Sequence, residues 1–125
     1  MSKENYKYTE DHEWLELNND VIVKLGITDF AQGELGDIIF VELPSPGDKF
    51  SKGDPIGTLE AVKTIADIYV PIDCEIVSIN SKLEDNPELI NKDPFKEGWL
   101  AKIKVLNPEQ YDKLLSLDEY ENFIK

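Results

Sequence analysis

Up to position 105 the chain is a succession of short apolar runs, each closed within a few residues by glycine, proline, asparagine or aspartate. This punctuation leaves no room for the long periodic segments of a helical bundle and points to a compact antiparallel β-structure. Strands are predicted at 12–17, 21–26, 37–43, 56–62, 65–70, 75–80 and 99–105. Asn18-Asn19 followed by Asp20 predicts the first hairpin turn, because Asn and Asp tolerate positive φ better than most residues. Pro44-Ser45-Pro46-Gly47 is a second break. Helical signals are few: Thr28 or Asp29 can cap a helix over 29–32 that Gly33 or Gly36 can end. Asn86-Pro87 and Asn107-Pro108 each put a capping residue before a proline at the first helical position, the former opening a turn through Ile90. Ser116-Leu117-Asp118-Glu119 reads as a capping box. The segment 111–124 is predicted helical, with Leu114, Leu115, Leu117, Tyr120 and Phe123 or Ile124 against the β-core.

With 125 residues, the chain is expected to form a single domain over 1–125, large enough to bury a core and short for a two-layer enzyme with a deep cleft. Lys and Arg number 13 against 26 Asp and Glu, a formal charge of −13. Such an anion is repelled by nucleic-acid phosphates and anionic lipid, so neither nucleic acid nor membrane is an expected partner. Basic docking surfaces are. The single cysteine, Cys74, excludes an intramolecular disulfide and multi-cysteine zinc patterns. The N-terminal residues have neither the apolar centre of a signal peptide nor the character of an organellar presequence, and the expected location is the cytoplasm, a processed mitochondrial form being the alternative.

Lys63 stands apart. Residues 58–70 read as two β-rich runs with Lys63-Thr64 near their midpoint, and an unbroken strand of that length exceeds the usual five or six residues. A reversal there, although no Gly, Asn or Pro marks it, places one amine at a hairpin tip between Val62 and Ile65. A lone lysine on a strand is ordinarily a solvated surface residue; a lysine on a rigid tip is how a protein presents an amine for covalent modification, in which the carried group supplies the reactivity.

Other chemistries lack their parts. His12 is the only histidine, so a Ser-His-Asp or Cys-His set has one candidate base; pairing with Cys74 has no supporting motif, and His12 is expected to stabilise the N-terminal strand beside Trp14. No glycine-rich phosphate loop is present. Carboxylates are too numerous for any two to stand out as an acid and base pair or as a metal site.

The chain resembles the H proteins of the glycine cleavage system. The likeness rests on the order and spacing of Tyr8-Thr9-Glu10-Asp11-His12-Glu13-Trp14, Gly26-Ile27-Thr28-Asp29-Phe30-Ala31-Gln32, the run from Leu35 to Pro44, Glu60-Ala61-Val62-Lys63, Asp67-Ile68-Tyr69, Pro71, Asn80, Leu83, Pro87-Glu88-Leu89-Ile90-Asn91, Pro94 and Gly98-Trp99-Leu100. It implies a mainly β fold, a flattened barrel or sandwich hybrid of two antiparallel sheets like that of lipoyl domains, with short peripheral helices and a C-terminal helix. It implies that Lys63 carries lipoate in amide linkage. The carrier is not itself a catalyst: it would take an aminomethyl group from glycine decarboxylase to aminomethyltransferase and be reoxidised by dihydrolipoamide dehydrogenase, after a lipoate-attaching enzyme has loaded it. A monomer is expected. Thioether-linked aminomethyl groups hydrolyse in water, so the loaded arm should rest in a cleft, and its cationic end favours carboxylates; the resemblance puts that cleft near Glu13, Glu34 and Asp67.

The chain departs from the family pattern at Ala61 and Thr64, where Ser and Ala are usual, at Glu34, often histidine, and at Cys74, where a turn glycine is usual. A side chain at Cys74 is strained if φ there is positive, in which case Cys74→Gly would be neutral or stabilising. Rival readings are an H-like protein relaying lipoate to 2-oxoacid dehydrogenases and an unmodified acidic binding module. Lipoyl domains of those dehydrogenases usually have Asp before the lysine and biotin carriers bracket it with methionines, whereas Lys63 lies between Val62 and Thr64.

Overall fold

A computed structural model describes residues 6–17 and 21–124. Strands β1 (Tyr6–Tyr8), β2 (Glu13–Leu17), β3 (Ile22–Ile27), β4 (Ile38–Glu42), β5 (Lys49–Phe50), β6 (Pro55–Ala61), β7 (Ile65–Tyr69), β8 (Cys74–Ile79) and β9 (Ala101–Val105) alternate with helices α1 (Asp29–Leu35), α2 (Lys82–Asp85), α3 (Leu89–Lys92), α4 (Pro108–Asp112) and α5 (Leu117–Phe123). They form two antiparallel sheets, of six strands in the order β1-β2-β3-β9-β8-β5 and of three in the order β4-β6-β7. The expected two-sheet, mainly β architecture with short helices is what the chain adopts, as a pair of open sheets and not a closed barrel. No helix among the described residues is long and apolar enough to cross a membrane.

Alternation explains the packing. Leu15, Val23, Leu25, Ile76, Ala101 and Ile103 of the larger sheet and Ile38, Val41, Leu59, Ala61 and Ile68 of the smaller one belong to one buried cluster. Side chains of opposite parity on β7, Ile65, Asp67 and Tyr69, face out. A period of two gives each strand one dry face. Each predicted strand is present with ends shifted by at most two residues, while β1, β5 and α2 are additional. Asn18-Asn19 and Asp20 lie outside the described residues.

Thr28 caps α1, its side chain accepting from the Ala31 N–H at 3.2 Å. The helix runs through Gly33 and ends at Gly36, whose φ of 81° suits glycine. The C-terminal segment departs from the single helix expected over 111–124. It breaks into α4 and α5 because Leu115 makes a two-way backbone bridge with Tyr8, at 2.8 and 2.9 Å. That extended link lets Ser116 act as the N-cap of α5, with both bonds of the capping box formed to Glu119.

A second aromatic cluster, Tyr6, Tyr8, Trp14 and Tyr120, closes the β1 end. The Trp14 indole donates to the Pro94 carbonyl at 2.9 Å and lies across its pairing partner Gly26, where an added Cβ would sit 2.5 Å from the ring. Only glycine admits that approach.

Cys74 corrects an expectation. It begins β8, paired with Phe50 and Val105, and among the described residues His12 is the one non-glycine with positive φ. Its side chain is fully buried in the core, and burial pushes the thiol up to about 12, so neither turn strain nor a thiolate nucleophile exists there. Cys74→Gly should therefore destabilise, by about 2–3 kcal/mol from lost packing and added backbone entropy, and Cys74→Ala by less. Denaturant unfolding of the two variants measures this; an unchanged midpoint for Cys74→Gly would contradict the packing role. Gly26→Ala should lower the melting temperature through displacement of Trp14, checked by a thermal melt with indole fluorescence as the readout.

Candidate functional site

Lys63 lies at the middle of the three-residue connection Val62-Lys63-Thr64 that joins β6 to β7. The Ala61 N–H donates to the Thr64 carbonyl at 2.8 Å, and Glu60 pairs with Ile65. Tight hairpin loops often take positive φ; this one does not, which is why no Gly or Asn marks it. Support comes from the side. The Val62 N–H donates to the Asp37 carbonyl at 3.1 Å. Asn91, from α3, holds the segment carrying that carbonyl: its Oδ1 accepts from the Ile38 N–H at 2.9 Å, and its Nδ2 donates to the Gly36 carbonyl at 2.8 Å and to Gln32 Oε1 at 3.0 Å. Lys63, exposed, is thus carried on a tip tied to β4 and through it to α1 and α3.

Glu13, Glu34 and Asp67 line one cleft of about 180 Å³ between β2, α1 and β7. Ile27, Leu35, Leu59 and Ile68 supply its apolar wall, and Asp11 and His12 complete the mouth. Asp67 is four residues along the chain from Lys63, about 13 Å of extended backbone. Glu34 and Asp67 are exposed, but Glu13 is buried. Desolvation pushes the Glu13 carboxyl up to about 8 against an ordinary 4.5, in spite of the bond that Thr9 Oγ1 donates to its Oε1 at 3.1 Å and a bond from the Tyr69 backbone. At neutral pH it is mostly protonated.

His12, expected to stabilise the N-terminal strand beside Trp14, is held by aromatic rings of α1 and α5. It sits in the turn before β2 at φ 67°, its ring against Phe30, Tyr120 and Phe123, with Nδ1 2.9 Å from the Tyr120 hydroxyl. That hydroxyl is also 2.7 Å from Thr28 Oγ1. The C-terminal helix thereby holds both the β1–β2 turn and the cap of α1, two walls of the cleft. Thr9 and Tyr69 fall within the segments that carry the resemblance and Tyr120 within the predicted C-terminal helix, but only the tertiary contacts bring them to the cleft.

Comparison with known proteins follows the same lines. The family model described as "Glycine cleavage H-protein" matches residues 6–125. The chain is 44% identical over 119 residues to a glycine cleavage system H protein of Staphylococcus epidermidis, covering 95% of this chain and 94% of the relative. It is 49% identical over 118 residues to that of Bacteroides fragilis, covering 94% and 93%. Among solved structures it is similar to a glycine cleavage system H protein from Mycobacterium marinum, with a TM-score of 0.86, 34% identity and 95% of each chain covered.

The buried carboxyl sets a pH dependence. Unfolded, Glu13 ionises near 4.5, whereas folded it keeps its proton to about 8, so the native state binds the extra proton and this residue's contribution to stability falls as pH rises through that window. Glu13→Gln keeps an oxygen for Thr9 and cannot ionise. The variant should gain on the native protein by on the order of a few kcal/mol at pH 8 and by little at pH 4.5. Urea midpoints at the two pH values test this; a pH-independent difference would show that Glu13 does not titrate in this way.

Proposed function

The chain belongs to the glycine cleavage H-protein family, and from that membership we propose that it is the non-catalytic lipoyl carrier of the glycine cleavage system, with lipoate in amide linkage on Lys63. The observation that carries the attachment site is the tip itself: an exposed amine on a short loop, braced by the Val62 to Asp37 bond. Lipoate so bound would supply a dithiolane that accepts the aminomethyl group of glycine on one sulfur and is later reoxidised.

The residues of the cleft suit such an arm. Ile27, Leu35, Leu59 and Ile68 offer an apolar wall to its carbon chain, and Glu34 and Asp67 face the cationic end of the loaded form. Glu13, neutral at rest, would release its proton as that cation arrives, since a nearby positive charge favours the carboxylate. A loaded arm lying against that wall would be less open to water than one free in solution, which suits a group that hydrolyses when solvated. Residues 1–125 work as one carrier domain, a cytoplasmic monomer visited in turn by glycine decarboxylase, aminomethyltransferase and dihydrolipoamide dehydrogenase after a lipoate-attaching enzyme has acted. The acidic surface suits basic faces on these enzymes.

Protein made in a lipoate-replete host should carry a lipoyl mass increment on the Lys63 peptide, absent from Lys63→Arg; an unmodified Lys63 would instead favour an acidic binding module. Reconstitution with the decarboxylase and aminomethyltransferase should give glycine-dependent folate loading, and its absence alongside transfer of lipoate to a 2-oxoacid dehydrogenase would favour relay. Asp67→Asn combined with Glu34→Gln should shorten the lifetime of the loaded arm several-fold and leave lipoylation intact. An unchanged lifetime would remove both carboxylates from the resting place.

A further inference from the structure

Two walls of the cleft owe little to core packing. Helix α1, which contributes Ala31, Glu34 and Leu35 to the cleft, has no fully buried residue, and His12 at the mouth is half-buried on a backbone of positive φ. Where burial is slight, hydrogen bonds carry more of the restraint. At its C-terminal end α1 is held by Asn91, which bonds to Gln32 and to the Gly36 carbonyl. At its N-terminal end the Thr28 N–H donates to the His12 carbonyl at 2.9 Å, which ties the helix and the turn to each other. The Tyr120 hydroxyl ties both to the frame. It lies 2.9 Å from His12 Nδ1 and 2.7 Å from Thr28 Oγ1, the same oxygen that caps α1 by accepting from the Ala31 N–H. A phenolic oxygen has one proton and two lone pairs, so it can serve both neighbours at once. Tyr120 is itself well fixed: it is 4% exposed, its ring stacks on that of Tyr8 at 4.9 Å, and α5 begins with a complete capping box. That packing uses the ring alone and leaves the hydroxyl to the cleft walls.

We propose that Tyr120 is a positioning residue for the loaded arm, its hydroxyl holding His12 and the first turn of α1 at the spacing that retains the arm in the cleft. This rests on the reading of that cleft as the arm's resting place. Tyr120 is not among the cleft's lining residues; it acts through His12 and through the helix that Thr28 caps. A site is held to its working geometry by the bonds behind the residues that line it. With the hydroxyl gone, both walls lose a bond to a rigid partner and open locally more often. Each opening admits water to the aminomethyl group, which hydrolysis releases as formaldehyde and ammonium with return of the free thiol.

The test compares the native chain with Tyr120→Phe, which removes the oxygen and keeps the ring, and with Thr28→Ser, which keeps a hydroxyl at the cap. Cys74→Ala, in the core and not in the cleft, controls for a general loss of stability. Each lipoylated protein is loaded with glycine and the decarboxylase, and the lifetime of the aminomethyl group is followed by mass spectrometry well below every melting temperature. The lifetime in Tyr120→Phe should fall at least threefold, with Thr28→Ser and Cys74→Ala within twofold of native and lipoylation of Lys63 unchanged throughout. In the protein without lipoate, hydrogen exchange at the Ala31 amide should be several-fold faster in Tyr120→Phe, while the amides paired between β8 and β9 keep the native rate. A native lifetime in Tyr120→Phe, or an unchanged Ala31 exchange rate, would overturn the positioning role and leave the cleft as the resting place. An equal loss of lifetime in Cys74→Ala would also overturn it, since any loss of stability would then suffice. A native loaded arm no longer-lived than aminomethyl-lipoamide free in solution would overturn the resting place together with the role built on it.

Discussion

Contact between the inner faces of the two sheets governs the rest of this molecule. Leu15, Leu25 and Ile103 from one side and Val41, Leu59 and Ile68 from the other are almost wholly removed from water. Because side chains alternate, slipping any of these strands by one residue would exchange its dry face for its wet one. That penalty fixes the pairing of Leu59 with Ala66 and of Glu60 with Ile65, and with it the position of the reversal between them. Lys63 is therefore exposed as a consequence of core packing, and its loop needs no residue suited to positive φ.

The burial of Glu13 runs against the same economy of water and charge. A carboxyl in that position is unfavourable when ionised, and the fold accommodates it by leaving it protonated and giving it Thr9 as a partner. Around it the chain is held in an uncommon conformation, with His12 in the left-handed region, a state that costs on the order of 1 kcal/mol and persists only where neighbours over-determine it. Those neighbours come from far away in the sequence: Tyr120 engages both His12 and Thr28. A helix at the C-terminus thus shapes a cleft built from residues near the N-terminus.

Two faces flank the lysine hairpin with different chemistry. One is the cleft lined by the edge strand β7, in which Glu34 and Asp67 are exposed and Glu13 is buried beside an apolar wall. The other is the outer face of the sheet, open and apolar around Glu60.

Period-two alternation and turn residues made the strands readable, since each of those signals is local. The capping residues Thr28 and Ser116 were readable for the same reason. The break between α4 and α5 was not, because a helical apolar pattern spans it and only the bridge from Leu115 to Tyr8 overrides that pattern. Cys74 was misjudged as a turn residue because burial in a strand depends on partners, Phe50 and Val105, that its neighbours in sequence do not reveal. Lys63, Glu13, Glu34 and Asp67 could each be singled out from the sequence, the lysine from its place between two runs and the acids from family resemblance. Their arrangement was a tertiary decision: which carboxylate loses its water and which keeps it follows from the packing of β2, α1 and β7. Local pattern determines which elements form, while desolvation, which sets the chemistry of the cleft, exists only once distant elements have closed over it.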